Sequence, residues 1–345
     1  MIEPRIEIVL PAKPMAATLR FFREELGFRL ESITPADNPA IAVLVGGGAR
    51  VQLRSDYDGA PGRLMITADT NGASATRRAP NGTEIVFAQR QAARDLTAPA
   101  QSPVITTRAD NDAWVTGRAD MLYRDLIPGR MGGQLIASHI RIPDGGLVAD
   151  DVHFHDIRFQ AIYCYRGWAR LVYEDQGEPF VLHAGDCVLQ PPQIRHRVLE
   201  ASEGLEVIEI GSPADHLTTL DHQLELPNSS AHPQRDFRGQ RFHVHRQAKA
   251  TQRTDAATDW QVTDLGMAAA TDQLADMQVI HANATATCQH DRMCFLFVLT
   301  GSCRITVADA PATPLHESDS ATVPGEVAYT IDECQDETQL LRVIL

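Results

Sequence analysis

The feature that most restricts how this chain can fold is an internal repeat. Tyr123-Arg124-Asp125-Leu126 followed by Gln134-Leu135 recurs as Val262-Thr263-Asp264-Leu265 followed by Gln273-Leu274, with the same spacing inside each copy. Further on, Gly167 answers to Gly301 and Pro191 to Pro324, each after slightly shorter loops. Self-similarity over this length means one unit built twice. At ordinary domain sizes, 345 residues hold two or three domains.

The first copy carries the chemistry, in the stretch Gly146–His196. His153-Phe154-His155 is followed by Gln160 and Gly167, then by Gly185-Asp186, Pro191 and His196. If residues 151–164 form one strand, side chains two apart share a face, so His153 and His155 point the same way. Gln160 and His196 would then complete a four-donor set of borderline ligands suited to Fe, Ni, Zn, Mn or Cu.

The order of these residues resembles the two motifs of the cupin superfamily: His-x-His, a carboxylate or amide a few residues on, a glycine turn, then Gly-Asp, Pro and His. With the repeat, the resemblance implies a bicupin, two tandem double-stranded β-helix (jelly-roll) barrels. His153, His155, Gln160 and His196 take the ligand positions by matching. The third is usually Glu in the family; Gln160 removes one negative charge and leaves a bound ion more electrophilic. Gln193 stands where the family often has Gly.

Alternation onward from Gln160 places Ile162 and Cys164 on the ligand face, as expected pocket residues, and Tyr163 and Tyr165 on the other. No residue of the stretch stands out as a general base, since Asp156 faces away from His155 in a regular strand. Similarity to the bicupin branch with quercetin-type and diketone-cleaving dioxygenases implies a dioxygenase acting on a small enolisable or aromatic oxygenated metabolite. Two readings stay open beside it: Lewis-acid isomerase, lyase or hydrolase chemistry, and a non-catalytic small-molecule-binding bicupin.

In the second copy the ligand positions become Cys288, His290, Cys294 and Tyr329. Thiolate and imidazole suit zinc, yet buried cysteines behave as small hydrophobes, so this barrel is expected to be mainly structural. Phe242-His243-Val244-His245 repeats the His-x-His pattern without a third donor and reads as a surface or edge strand. His139 and Arg141 share a strand face that periodicity places outside the barrel, in solvent, with Ile140 and Ile142 inside.

Before the barrels, residues 5–11, 28–33, 40–45 and 50–54 read as strands, with a helix from Met15 to Leu26 stopped by Gly27. This order, with Phe21-Phe22 before Leu26-Gly27-Phe28, looks like the βαβββ half-module of the glyoxalase, or vicinal oxygen chelate, superfamily. A second module over 62–90 has no room for its helix. By matching, Glu7 and Gln52 fall at ligand positions and Val86 falls where the last carboxylate belongs, so this module is expected to be degenerate. Arg77-Arg78 reads as a solvated pair.

The expected fold class is therefore mainly β: a small α+β glyoxalase-like module (1–92), a linker or arm (93–113), a metal-binding barrel (114–225) and a degenerate barrel (226–345). A net charge of −14 with no basic run argues against nucleic acid. Six cysteines without CxxC spacing and no charged and apolar leader suit a cytoplasmic protein. No apolar run approaches the roughly 20 residues of a bilayer span. A divalent transition metal and a small-molecule substrate are the implied ligands. The exposed edge of the short N-terminal sheet suggests a homodimer.

Overall fold

The computed structural model describes residues 6–35, 38–68, 75–89, 102–228, 231–335 and 337–345. It divides into two compact units, residues 1–92 and 93–345. The expected boundary at 92/93 and the first part of the expected linker lie outside the described residues.

In the smaller unit, the strand Ile8–Pro11, the helix Met15–Glu24 and the strands Arg29–Thr34, Ile41–Gly46 and Ala49–Arg54 follow the expected order. The first and last of these strands pair in parallel at the sheet edge. Fully buried Phe22, on the apolar face of the helix, packs over Leu44, Val51 and Leu53. The helix ends because Gly27 adopts a left-handed φ of 73°, which a side chain would resist. Arg63–Ala68 pairs in parallel with Glu84–Gln89, which forms a hairpin with Ala75–Arg78.

The larger unit is built from antiparallel sheets in two similar pairs. The first pair has a seven-stranded sheet centred on Phe159–Arg166 and Leu205–Ser212, and a six-stranded sheet containing Trp168–Tyr173, His196–Ala201 and His153–Asp156. The second pair has seven strands around Cys294–Thr300 and Gln339–Ile344, and four strands including Ala286–Cys288 and Tyr329–Asp332. The repeat in sequence is a repeat in space: Gly167 and Gly301 turn matching hairpins at φ of 74° and 76°. At both, a Cβ would strike the loop that enters the neighbouring central strand, at Ser202 and Thr338.

The two seven-stranded sheets share one apolar core. Phe159, Ala161, Tyr163 and Ile208 of the first copy are clustered with Met277, Phe295, Phe297 and Leu341 of the second. The opposite faces of these strands fill each barrel, so a strand such as Cys294–Thr300 is buried on both sides and reads as an apolar run.

Two expectations about the first copy need correction. Residues 151–164 are not one strand: His153–Asp156 lies in one sheet and Phe159–Arg166 in the other, with a corner at Ile157-Arg158. The corner closes because Arg158 N donates to Ser212 O at 2.9 Å and Ile157 packs on Gly211, where a Cβ would come within 2.9 Å. His139 is not solvated: it is 2% exposed, bonded to Glu206 at 2.7 Å and edge-on to Trp114, Tyr165 and Phe297. A strand's outer face is wet only if nothing packs on it, and here the second copy does; Ile140 and Ile142 do face the first barrel's interior.

The edges of the copies also interlock. His243–His245 joins the first copy's sheet beside Cys187–Leu189, and Val104–Thr106 joins the second's beside Ser320–Val323. Cuts at 113/114 and 225/226 therefore separate strands from the sheets they complete. Among the described residues no helix is long and apolar enough to cross a membrane.

Phe297 is fully buried in the shared core, so Phe297→Ala is expected to cost about 3–5 kcal/mol. Because that core belongs to both copies, calorimetry should show them melting together at a lower temperature, not one copy melting alone.

Candidate metal centre

His153 and His155 project from one short strand, and His196 begins the strand beside it, with His153 and His196 directly opposite in register. One ring nitrogen from each lies within 4.8 Å of the other two, a spacing that a single ion can span. The ring centroids are 4.3 Å apart for His153 and His196, and 5.2 and 5.4 Å for His155 against each.

The outer nitrogens are already engaged. His153 Nδ1 donates to Asp151 O at 2.8 Å, His196 Nδ1 donates to Ile194 O at 3.0 Å, and His155 Nδ1 lies 2.9 Å from Thr218 Oγ1. A ring that donates through Nδ1 carries its lone pair on Nε2. His153 Nε2 is buried with no hydrogen-bond partner. Such an orphan costs about 1–3 kcal/mol, and a cation shared with the other two rings would satisfy it. Carbonyl-anchored imidazoles of this kind are what metal ligands need.

Burial holds the rings neutral, the state in which they can ligate. His155 is brought down to about 2 by burial, then by His153, His216 and Arg118; His196 is also held well below the usual range by burial and the two neighbouring rings.

Gln160 comes from the opposite sheet, is 1% exposed, and has its Nε2 without a well-formed hydrogen bond. Its amide faces Glu209, on the neighbouring strand Leu205–Ser212.

A cavity of about 600 Å³ opens beside the triad. Ile162 lines it, as expected. Cys164 keeps the Ile162 face, in the interior apolar cluster of the barrel, but lies beyond the cavity, with its Sγ turned to Gly167 O at 3.6 Å. Burial pushes its thiol up to about 12, so it is an inert core group.

The structure adds four lining residues that the motif stretch did not offer. His216 packs edge-on to His155 with centroids 5.3 Å apart. Burial raises the Glu209 carboxyl, with His216, Gln160 and Arg118 opposing. Tyr123 is pushed up to about 12, by burial and then by Glu209. Arg118 is ion-paired to the buried Asp150, which also accepts from Val198 N at 2.9 Å. The sequence signal for Glu209 was one of two charged residues, with Glu206, inside the run Leu205–Ile210; strand register puts Glu209 opposite Ile162.

The second copy keeps the register but not the donors. Cys288 stands opposite Tyr329 as His153 stands opposite His196. The Tyr329 hydroxyl fills the centre, 3.2 Å from His290 Nε2 and 3.5 Å from Cys294 Sγ. Arg342 takes the place of Glu209, opposite Leu296 as Glu209 is opposite Ile162. It is buried, bonded to Gln278, and its charge reaches Cys288, His290 and Cys294. A divalent ion would meet that fixed cation. Of His243 and His245, on an edge strand, the first is bonded to Leu265 O at 3.0 Å.

The folded chain keeps His155 and His196 neutral where an unfolded chain would protonate them, so below about pH 6.5 the unfolded state binds more protons. The stability is present above that pH and lost as pH falls. For protein dialysed against a chelator, the melting temperature should drop between about pH 7 and pH 5, and less steeply in His155→Asn. Equal slopes would show that the ring does not titrate on unfolding.

No protein-family model matches the chain, and no curated protein matches it in sequence. Solved structures do match in fold. An oxalate decarboxylase variant from Bacillus subtilis superposes with a TM-score of 0.52 at 13% identity, covering 73% of this chain and 79% of that one. The formate complex of Lactobacillus farciminis oxalate decarboxylase gives 0.53 at 13% identity, covering 72% and 88%. E. coli protein Ylba gives 0.52 at 11% identity, covering 72% and 94%. At these identities the likeness speaks for the fold alone: the chain has a β cupin fold, in the two-barrel arrangement.

Proposed function

We propose that the first barrel is the active site of a metal-dependent enzyme, with His153, His155, His196 and Gln160 holding one divalent transition ion. The observation that carries this is the orphaned, buried His153 Nε2 among imidazoles whose outer nitrogens are already anchored. When bound, such an ion supplies Lewis acidity and, if redox-active, a partner for dioxygen.

The chain's own residues do the rest. Asp151 O, Ile194 O and Thr218 fix the three rings. Glu209 faces the Gln160 amide from the neighbouring strand. The apolar wall excludes water, which suits dioxygen cleavage of an enolisable or aromatic oxygenated metabolite. Glu209 also favours a second reading. The sequence offered no general base, and that absence pointed to oxygen chemistry; a carboxyl on the cavity wall can move a proton in a Lewis-acid isomerase or lyase reaction.

The N-terminal unit reads as a degenerate glyoxalase-like half-module. Glu7 and Gln52, at matched ligand positions, bond to each other at 2.7 Å, and Glu7 is paired with Arg50 at 2.7 Å. A carboxylate so engaged is a structural group. Ile8 and Val9 on its edge strand, and Ile6 just before it, remain exposed, which supports the homodimer; a monomeric mass by light scattering would remove that proposal.

Elemental analysis should find one divalent ion per chain, lost in His153→Ala and His196→Ala and kept in His290→Ala. Metal-free protein whose stability both mutations leave unchanged would overturn the site. Oxygen consumption with candidate diketones or catechols, against product formation without it, then separates the two reactions, and Glu209→Gln should lower turnover at least tenfold only in the second.

A further inference from the structure

Resting on the metal site proposed above, we propose that its substrate is an uncharged molecule with an apolar, ring-sized body and its oxygens gathered at one end, and that small dianions such as oxalate are excluded. The cavity holds about 600 Å³, in the range that encloses drug-sized ligands, so a molecule the size of oxalate would leave most of it empty. Away from the triad its wall comes from both sheets, through Ile140, Ile162, Leu171, Leu182, Val198 and Val207. These six side chains offer no hydrogen bond, so that part of the wall gains by accepting carbon and loses by accepting charge.

The charges on the wall point the same way. Of its two arginines, Arg118 is neutralised by the fully buried carboxylate of Asp150, and Arg130 by Asp215 at 3.1 Å. Against them stand the carboxyls of Glu209 and Asp125. A dicarboxylate would therefore meet acidic groups and find each guanidinium already engaged, whereas a neutral pair of oxygens meets only the triad and the hydrogen-bonding groups around it. The fold is shared with oxalate decarboxylases; the lining residues of this barrel suit a different substrate.

Calorimetric titration of the full-length protein, with metal content measured on the same sample, tests this with three probes. These are 1-phenylbutane-1,3-dione, pentane-2,4-dione, which has the same oxygens without the ring, and oxalate. The phenyl compound should bind at least tenfold more tightly than pentanedione, and oxalate more weakly than either. Ile162→Trp, which fills the cavity, should erase the phenyl preference with metal content unchanged. Oxalate binding as tightly as the phenyl compound, or no preference for the ring, would overturn the inference while leaving the metal site standing. If the protein proves metal-free, the metal reading fails separately; acetophenone against acetone then tests the apolar body alone, and equal binding of those two overturns it as well.

Discussion

The corner at Ile157-Arg158 is the constraint on which the rest of the first barrel depends. It carries the chain from one sheet to the other within two residues, held by Arg158 N to Ser212 O and by the close approach of Ile157 to Gly211. On one side of it are His153 and His155; on the other is Gln160. A straight strand would keep these side chains in one sheet, whereas the corner puts the histidines in one sheet and Gln160 in the other. The pairing of His153 opposite His196 supplies the third imidazole from the neighbouring strand.

The second barrel shows that the geometry does not depend on the chemistry. The same register puts Cys288 opposite Tyr329, and the space at the centre is filled by a phenol bonded to His290 and Cys294. Where the first barrel has a carboxyl, Glu209, the second has a buried guanidinium, Arg342. Exchanging the sign of one buried charge and lining the centre with thiols and a hydroxyl turns a site suited to a cation into a satisfied core. The two barrels then stand back to back, and their shared apolar layer buries the outer faces of both large sheets.

How much of this could be read in advance depended on how local the signal was. The histidines and Gln160 stand within one stretch at spacings set by strand geometry, and the duplication was visible as matched spacings. Glu209 and His216 were not legible, because they reach the cavity from a strand and a loop that follow the motif, and a Glu in an apolar run carries no mark of what lies opposite. For Cys164 alternation gave the right face, but a face does not tell how far along the strand the cavity extends. His139 was misjudged because periodicity tells inside from outside one sheet and cannot tell whether a second sheet covers the outside.

The amino-acid sequence by itself determined the fold class, the duplication and the three histidines that come together, since each rests on residue types at short, regular separations. Tertiary structure decided which of those donors meet and what surrounds them. The corner splits the expected strand, the partner barrel buries His139, and strands of both sheets line the cavity with aliphatic side chains and the Glu209 carboxyl. Periodicity assigns a side chain to a face; only packing assigns that face a neighbour, and the neighbour sets burial, charge and therefore chemistry.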